Sequence, residues 1–317
     1  MTGWERYARC VASLLIPMST ATVRITDPTK PSSRFRDDWL AIPKASSSSD
    51  LRHFLTMPPA APSRIPTITT IHDLAIWKYP ETTTRMAQNY YKPLYERALQ
   101  RDAIVTVSES MKAEIEDYFS VVDVGVIPNV VDDLAFTNTE PYRGNRPYFI
   151  CLGSIEPRKN IARLVEAFAR SGVATEVDLK IVGRRAWGEL PRMADYIEAP
   201  SDAELRSLIK GARALFFPSL YEGFGLPIIE AQAAGTPVYC SDLAVFHEVG
   251  GPAISVFDPL DIESIAESLR TAASDRESDR IVGRPAPSFT RDRCRRAIRE
   301  TYRKFGVDLD DSDSGPA

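Results

Sequence analysis

The stretch Tyr221-Glu222-Gly223-Phe224-Gly225-Leu226-Pro227-Ile228-Ile229-Glu230 follows the apolar run Ala214 to Phe217 and enters a helical pattern that Gly235 closes. A buried strand, a glycine turn and a helix in that order form the repeating unit of a parallel α/β sheet. Pro227 sits near the first helical position, where its missing N–H costs nothing. Backbone N–H groups at Gly223, Phe224 and Gly225, with the positive helix end behind them, suit an anion, and a phosphate-bearing ligand fits. Glu222 stands at the mouth of the turn and Glu230 about one turn into the helix. Carboxylates there repel phosphate directly but accept hydrogen bonds from sugar hydroxyls. The same two residues are also what a plain helix needs, with Glu222 favoured by the dipole at the entry and Glu230 solvated.

Outward from this stretch the alternation continues. Strand patterns at Tyr148 to Leu152, Val177 to Val182 and Pro237 to Cys240 interleave with helical ones at Asn160 to Ala169, after Ser201, and at Ile262 to Thr271. An upstream set comprises Thr67 to Ile71, a helix over Thr84 to Gln100, Ala103 to Val107, a helix over Ser108 to Phe119, and Val124 to Ile127. Pro128, Asn129 and the polar segment Thr137 to Arg146 interrupt the period and read as a linker. The pattern predicts an α/β chain of two doubly wound, Rossmann-like domains facing a cleft, with ligands beyond the carboxyl ends of the strands. The expected divisions are residues 1–145, residues 146–288, a helix within 289–305 that returns to the first domain, and a disordered acidic tail at 306–317. At the front, Trp4, Tyr7, Ala8, Val11, Leu14 and Leu15 recur at helical spacing. Val11 to Met18 also has the length of a signal-peptide core, but Glu5 lies in the wrong flank for one. A strand is expected at Ala21 to Ile25, followed by a long loop that includes Ser46 to Ser49.

The 317 residues agree with two domains at roughly 150 residues each. Apolar residues make up 44% and charged residues 26%, the balance of an ordinary globular chain. The formal net charge of -4 comes from 39 Lys and Arg against 43 Asp and Glu. The tail after Phe305 carries Asp308, Asp310, Asp311 and Asp313 with no base, which leaves the body neutral and argues against a nucleic-acid partner. Cys10, Cys151, Cys240 and Cys294 are scattered, and with His53, His72 and His247 they suggest neither a disulfide framework nor a zinc site.

A second turn, Gly153-Ser154-Ile155-Glu156-Pro157-Arg158-Lys159-Asn160, also joins a strand to a helix. Arg158 and Lys159 are adjacent cations where the helix dipole disfavours them, which points to a compensating bound anion; an exposed basic turn is the other reading. Two anion-suited turns in one half-chain favour a diphosphate ligand. His72-Asp73 ends the strand Thr67 to Ile71 at a carboxyl end, whereas His53 and His247 read as structural. Asp-x-Asp pairs occur only in the tail, so the body lacks the usual carboxylates of a metal-dependent phosphate site. No Gly-x-x-x-x-Gly-Lys-Ser/Thr loop is present, and Gly223-Phe224-Gly225 lacks the third glycine of a dinucleotide fingerprint.

Ile71-His72-Asp73, Gly153 to Asn160, Val182-Gly183 with Trp187-Gly188, Tyr221 to Glu230, and Phe246-His247-Glu248-Val249-Gly250-Gly251 resemble, in order, the signatures of the retaining glycosyltransferases of family 4, which have the GT-B fold. The resemblance runs from about Thr2 to Phe305. It implies that Arg158 and Lys159 hold the diphosphate of a nucleotide sugar in place of a metal. Glu222 and the backbone of Gly223, Phe224 and Gly225 would face the donor sugar, with Gly153 in the same donor site. Glu230 would accept from the ribose hydroxyls, and His72 would lie at the donor sugar near the acceptor. No cofactor is implied beyond the donor substrate, for which GDP-mannose is the first choice because the Glu-Pro-Arg-Lys-Asn form is frequent in mannosyltransferases of surface polysaccharide and O-antigen assembly.

This chain departs from the family where many members have arginine in place of Ser154, in the shortened segment between Trp187 and Ala203, and at the start. Members begin with a strand and a glycine loop, so this chain is expected to be amino-terminally incomplete. That would leave a gap in the middle of the first sheet and unpaired backbone groups beside it. The implied activity is retaining transfer of a sugar from a nucleotide sugar to a saccharide or lipid-linked acceptor. A non-catalytic nucleotide-sugar-binding remnant, or an epimerase or hydrolase on the same fold, are the alternatives. A cytoplasmic chain is expected, with peripheral contact at the inner face of a membrane and the oligomeric state left open.

Overall fold

The computed structural model describes residues 3–15, 50–58, 60, 64–121, 123–131, 133–185, 193–275 and 289–309. The strand expected at Ala21 to Ile25, the loop at Ser46 to Ser49, Trp187-Gly188 and the tail from Asp310 onward lie outside the described residues. The chain divides into two units, Met1–Val130 with Phe289–Ala317, and Val131–Ser288.

In the first unit, α1 (Gly3–Leu15) buries Tyr7, Val11, Leu14 and Leu15, the face that the helical spacing predicts. Four parallel strands pair in chain order: β1 (Arg52–Phe54), β2 (Thr67–Thr70), β3 (Ala103–Thr106) and β4 (Gly125–Val126). β1 pairs directly with β2 in the register His53↔Ile68. The predicted helix over Thr84 to Gln100 is present as a π turn at Ala87–Tyr91 followed by α2 (Lys92–Arg101). Pro93 has no N–H for the bond back to residue 89, which accounts for the widened turn. After β3 comes α3 (Glu109–Phe119), which Ser108 caps by accepting from Met111 N. The C-terminal helix, Arg291–Arg303, belongs to this unit and buries Cys294, Ile298 and Tyr302. It is pinned to the sheet through His53, whose Nδ1 meets Tyr302 Oη at 2.9 Å and whose Nε2 meets Thr70 Oγ1 at 2.9 Å.

The second unit is one parallel sheet of six strands. Its strands are β5 (Tyr148–Leu152), β6 (Asp178–Gly183), β7 (Asp195–Glu198), β8 (Ala214–Phe217), β9 (Val238–Ser241) and β10 (Ser255–Phe257). Their spatial order is β10-β9-β8-β5-β6-β7. The chain therefore builds outward from β5 to β7, then returns to the other side of β5 and builds outward again. The switch between β5 and β8 is where such a sheet opens a crevice at its carboxyl edge. Around the sheet stand α4 (Ile161–Ser171), α5 (Asp202–Gly211), α6 (Leu226–Ala234), α7 (Ala244–Gly250) and α8 (Ile262–Ser274), and the short helix Asp133–Thr137 also belongs to this unit. Phe149, Cys151, Ile155, Leu164, Phe168 and Leu269 share one core on the α4 side.

The unit boundary falls at Val130, not at residue 145, because the segment read as a linker is bound to the second unit. Tyr142 N donates to Ser207 O at 2.9 Å, Ser207 Oγ to Glu140 O at 2.8 Å and Lys210 Nζ to Phe136 O at 3.0 Å. The Lys180 ammonium lies over the rings of Tyr142 and Tyr148. The segment also lies so close to Gly211 that a Cβ there would come within 2.1 Å of Tyr142 O.

Candidate active site

Both anion-suited turns lie at the switch point, one after β5 and one after β8. The β5 turn leaves the sheet along β6, since Gly153 N donates to Val182 O and Ile155 N to Arg184 O, each at 3.0 Å. This close run requires glycine on the partner strand, because a Cβ on Gly183 would lie 2.0 Å from Gly153 O. Pro157–Lys159 then form a 3-10 turn, and Asn160, in the left-handed region at φ 57°, precedes α4. The buried Asn160 amide donates to Pro259 O at 2.8 Å, a partner that stabilises this otherwise costly backbone conformation. Arg158 and Lys159 thus stand on the turn before the helix rather than in its first turn.

The β8 turn carries Ser219, Tyr221 and Glu222 and ends at Gly225, the N-cap of α6, with φ 108°. Only glycine adopts that conformation without strain, and a side chain there would also press on the Phe246 ring, 3.1 Å from the Cβ position. Glu230 is partly buried on α6.

The two turns meet in a cluster of four charges. Lys159 Nζ bonds Glu222 Oε1, which also accepts from Ser219 Oγ at 2.8 Å. Arg158 Nη1 donates to Tyr221 O at 2.7 Å and lies 3.4 Å from Glu222 Oε2, while Nη2 donates to Glu156 Oε1 at 2.9 Å. Leu220 N returns a bond to Arg158 O at 2.9 Å. All four side chains are 11–15% exposed. Burial alone would push the Glu222 carboxyl up. The charges of Lys159 and Arg158, with hydrogen bonds from Lys159 and Ser219, outweigh that and hold it below the usual carboxylate range. The unfavourable placement of two cations is therefore compensated within the protein by Glu222 and Glu156. Glu156 and Ser219 were missed from sequence. Glu156 was legible as the carboxylate inside its own turn, whereas Ser219 has no sequence signal apart from its spacing to Glu222.

His72 lies in the first unit, whereas the other sequence-predicted site residues lie in the second. Its Nε2 meets Leu55 O at 2.7 Å and its ring packs edge-on against Tyr7. A carbonyl only accepts, so Nε2 carries the proton and Nδ1 is left as an acceptor. Burial pulls the His72 pKa below its ordinary value, and the Leu55 bond and Asp73 only partly oppose it. His53 is part-buried, and desolvation pulls its pKa to about 3, while His247 pairs with Asp242 at 2.7 Å on the surface.

Residues 135–288 match the profile of Glycosyl transferases group 1, and residues 48–133 that of Glycosyltransferase Family 4. The chain is 30% identical over 233 residues to O-antigen chain mannosyltransferase B of Escherichia coli, covering 66% of this chain and 61% of that one. It is 30% identical over 244 residues to an MMP alpha-(1->4)-mannosyltransferase of Mycolicibacterium hassiacum, covering 68% and 59%. The chain thus spans about six-tenths of the length of these relatives. Among solved structures, sucrose-phosphate synthase from Thermosynechococcus elongatus superposes with a TM-score of 0.69 at 17% identity, covering 91% of this chain and 82% of that one. The lipopolysaccharide glycosyltransferase WaaG superposes with 0.64 at 15% identity, covering 87% and 88%. Two Rossmann-like units of this kind make up the GT-B fold. The chain belongs to glycosyltransferase family 4. Among the described residues, no helix is long and apolar enough to cross a membrane.

Proposed function

We propose that the protein transfers a hexosyl group, mannose first among the candidates, with retention from a nucleotide-diphosphate sugar to a saccharide or lipid-linked saccharide in polysaccharide or O-antigen assembly. The observation that carries this reading is the meeting of Arg158, Lys159 and Glu222 at the β5–β8 switch point. When the anomeric C–O bond breaks, the electron pair goes to the diphosphate oxygen. Arg158 and Lys159, already fixed by their carboxylates, meet that growing charge without reorganising. Glu222 and the Gly223–Gly225 backbone face the donor sugar, Gly153 lets the turn approach it, and Glu230 accepts from the ribose. The choice of mannose is supported by the names of the two mannosyltransferase relatives. No metal is called on, so transfer in EDTA should proceed undiminished. Peripheral contact with the inner face of a membrane would suit a lipid-linked acceptor.

The test is a thermal-shift panel of GDP, UDP, ADP and dTDP sugars, followed by transfer assays with the stabilising donor. GDP-mannose is expected to stabilise and to be consumed with retention. If no donor shifts the midpoint, the reading fails; if a UDP sugar alone does, the choice of donor is wrong.

A further inference from the structure

The four-charge cluster is electrically neutral: Arg158 and Lys159 are matched by Glu156 and Glu222, all largely buried. An arriving diphosphate brings more than one negative charge and meets two carboxylates as well as two cations. At these distances in a poorly screened setting, the repulsion offsets much of the attraction. A site that binds a diphosphate here needs further positive charge beside the β5 turn.

The ladder between β5 and β6 supplies it. Beyond Leu152↔Val182 the pairing continues in register to the bridge Ile155↔Arg185, with alternate N–H bonds at Gly153 and Ile155. Side chains alternate along such a ladder, so Ile155 and Arg185 share one face and Ser154 and Arg184 share the other. Ile155 is buried in the core against α4, which fixes the first face as the helix side. Ser154 and Arg184 are therefore neighbours on adjacent strands, about 5 Å apart at the backbone. Arg184 is exposed, and among the described residues its side chain has no hydrogen bond or ion pair. Ser154 is uncharged and brings no charge to its own turn.

We propose that Arg184 completes the diphosphate site, its guanidinium crossing the face of Ser154 to supply the positive charge that Glu156 and Glu222 withhold from Arg158 and Lys159. This rests on the nucleotide-sugar reading for the identity of the ligand, but not for the existence of an anion site. Guanidinium–phosphate bonds are charge-assisted and often bidentate, so losing one should weaken binding about 10- to 100-fold. Arg185, on the helix-side face, should contribute little.

Calorimetric titration of the full chain with inorganic pyrophosphate, GDP and UDP tests this. Arg184→Gln is expected to weaken pyrophosphate, and whichever nucleotide binds, by about tenfold or more with an unchanged melting midpoint, and Arg185→Gln to stay within about twofold. Ser154→Arg added to Arg184→Gln should restore most of the affinity, since it returns a guanidinium to the same face. Equal pyrophosphate affinity in Arg184→Gln and the parent chain overturns the proposal. So does failure of the parent to bind pyrophosphate, or failure of Ser154→Arg to restore it. Arg184-dependent pyrophosphate binding without any nucleotide binding would uphold the anion site and sink the nucleotide-sugar reading instead.

Discussion

Replacing Glu222 by glutamine separates the two functions of that carboxylate, because it should weaken the fold while strengthening anion binding. In the protein, Oε1 accepts from Lys159 and from Ser219 at 2.8 Å, and Oε2 faces Arg158 at 3.4 Å. Glutamine keeps the shape but turns one of these acceptors into a donor that faces a donor, and it leaves two buried cations against Glu156 alone. Hydrogen bonds to charged groups are worth about 1.5–3 kcal/mol, and unpairing a buried ion costs about 3–5 kcal/mol. About 3 kcal/mol is a reasonable total where the side chains keep some solvent contact, which corresponds to roughly 6–12 °C in a unit of this size. The cluster also changes from neutral to positive, so pyrophosphate should bind about tenfold tighter, or about 1.4 kcal/mol. The Glu222 pKa is depressed in the fold, so its stabilising effect is present above the ordinary value of 4.5 and is lost as the pH falls through the folded value. The glutamine variant should lack that part of the acid limb. Scanning calorimetry with and without pyrophosphate reads both effects. An unchanged midpoint, or pyrophosphate binding that weakens, would refute the reasoning.

Stability of the first unit should fall as the pH drops from about 6.5 towards 3. Unfolded His53 binds its proton near 6.5, while the folded ring, desolvated between Tyr302 and Thr70, resists protonation until about 3. His53→Gln should flatten that limb in urea titrations run across this range; an identical slope would count against it. Gly183→Ala should cost about 3 kcal/mol or more by urea unfolding, since its Cβ would sit 2.0 Å from Gly153 O. A change under about 0.5 kcal/mol, the ordinary range for a surface substitution, would show that the β5 turn can lift away freely. Arg158→Ala should lower turnover about a hundredfold at saturating donor, as for loss of one preorganised donor, and an undiminished rate contradicts its role. Glu230→Ala should mainly weaken nucleoside diphosphate affinity, which calorimetry would contradict by finding no change.

How much of the fold was legible depended on whether a segment carries its own signal. The central strands β5 and β8 are continuous apolar runs and β6 and β9 mostly apolar ones, because both faces are covered, and two of the helices carry side-chain caps, the Ser201–Glu204 capping box of α5 and Asp261 of α8. The strands β1, β7 and β10 were not legible. Each is short and polar at one or both ends, as in Arg52-His53-Phe54 and Asp195-Tyr196-Ile197-Glu198, and is stabilised by a neighbouring strand rather than by its own pattern. The boundary falls beside Pro128 and Asn129, but the remainder of the segment read as a linker belongs to the second unit, for a related reason. Thr137 to Arg146 is polar and aperiodic, but its backbone groups find partners on Ser207 and Lys210, which only the folded second unit presents.

The site shows the same division between what is local and what is tertiary. Glycine turns, a proline at a helix start and adjacent cations are local devices, so Gly153, Arg158, Lys159, Glu222 and Gly225 could be picked from their own segments. Their relation could not, because sequence reasoning matched the cations to an outside anion, whereas the fold supplies Glu156 and Glu222 as counter-ions first. That difference changes the chemistry expected of the turn. Cations held by internal carboxylates are rigid and pre-aimed, which favours stabilising charge as it develops over attracting a ligand that already carries it. Attraction must then come from charge that has no internal partner, and the ladder between β5 and β6 sets Arg184 beside the turn for that purpose. The affinity ratio between Arg184→Gln and Glu222→Gln therefore measures how far ground-state binding and charge stabilisation are assigned to different residues. If both variants shift pyrophosphate affinity in the same direction, the two functions are not separated.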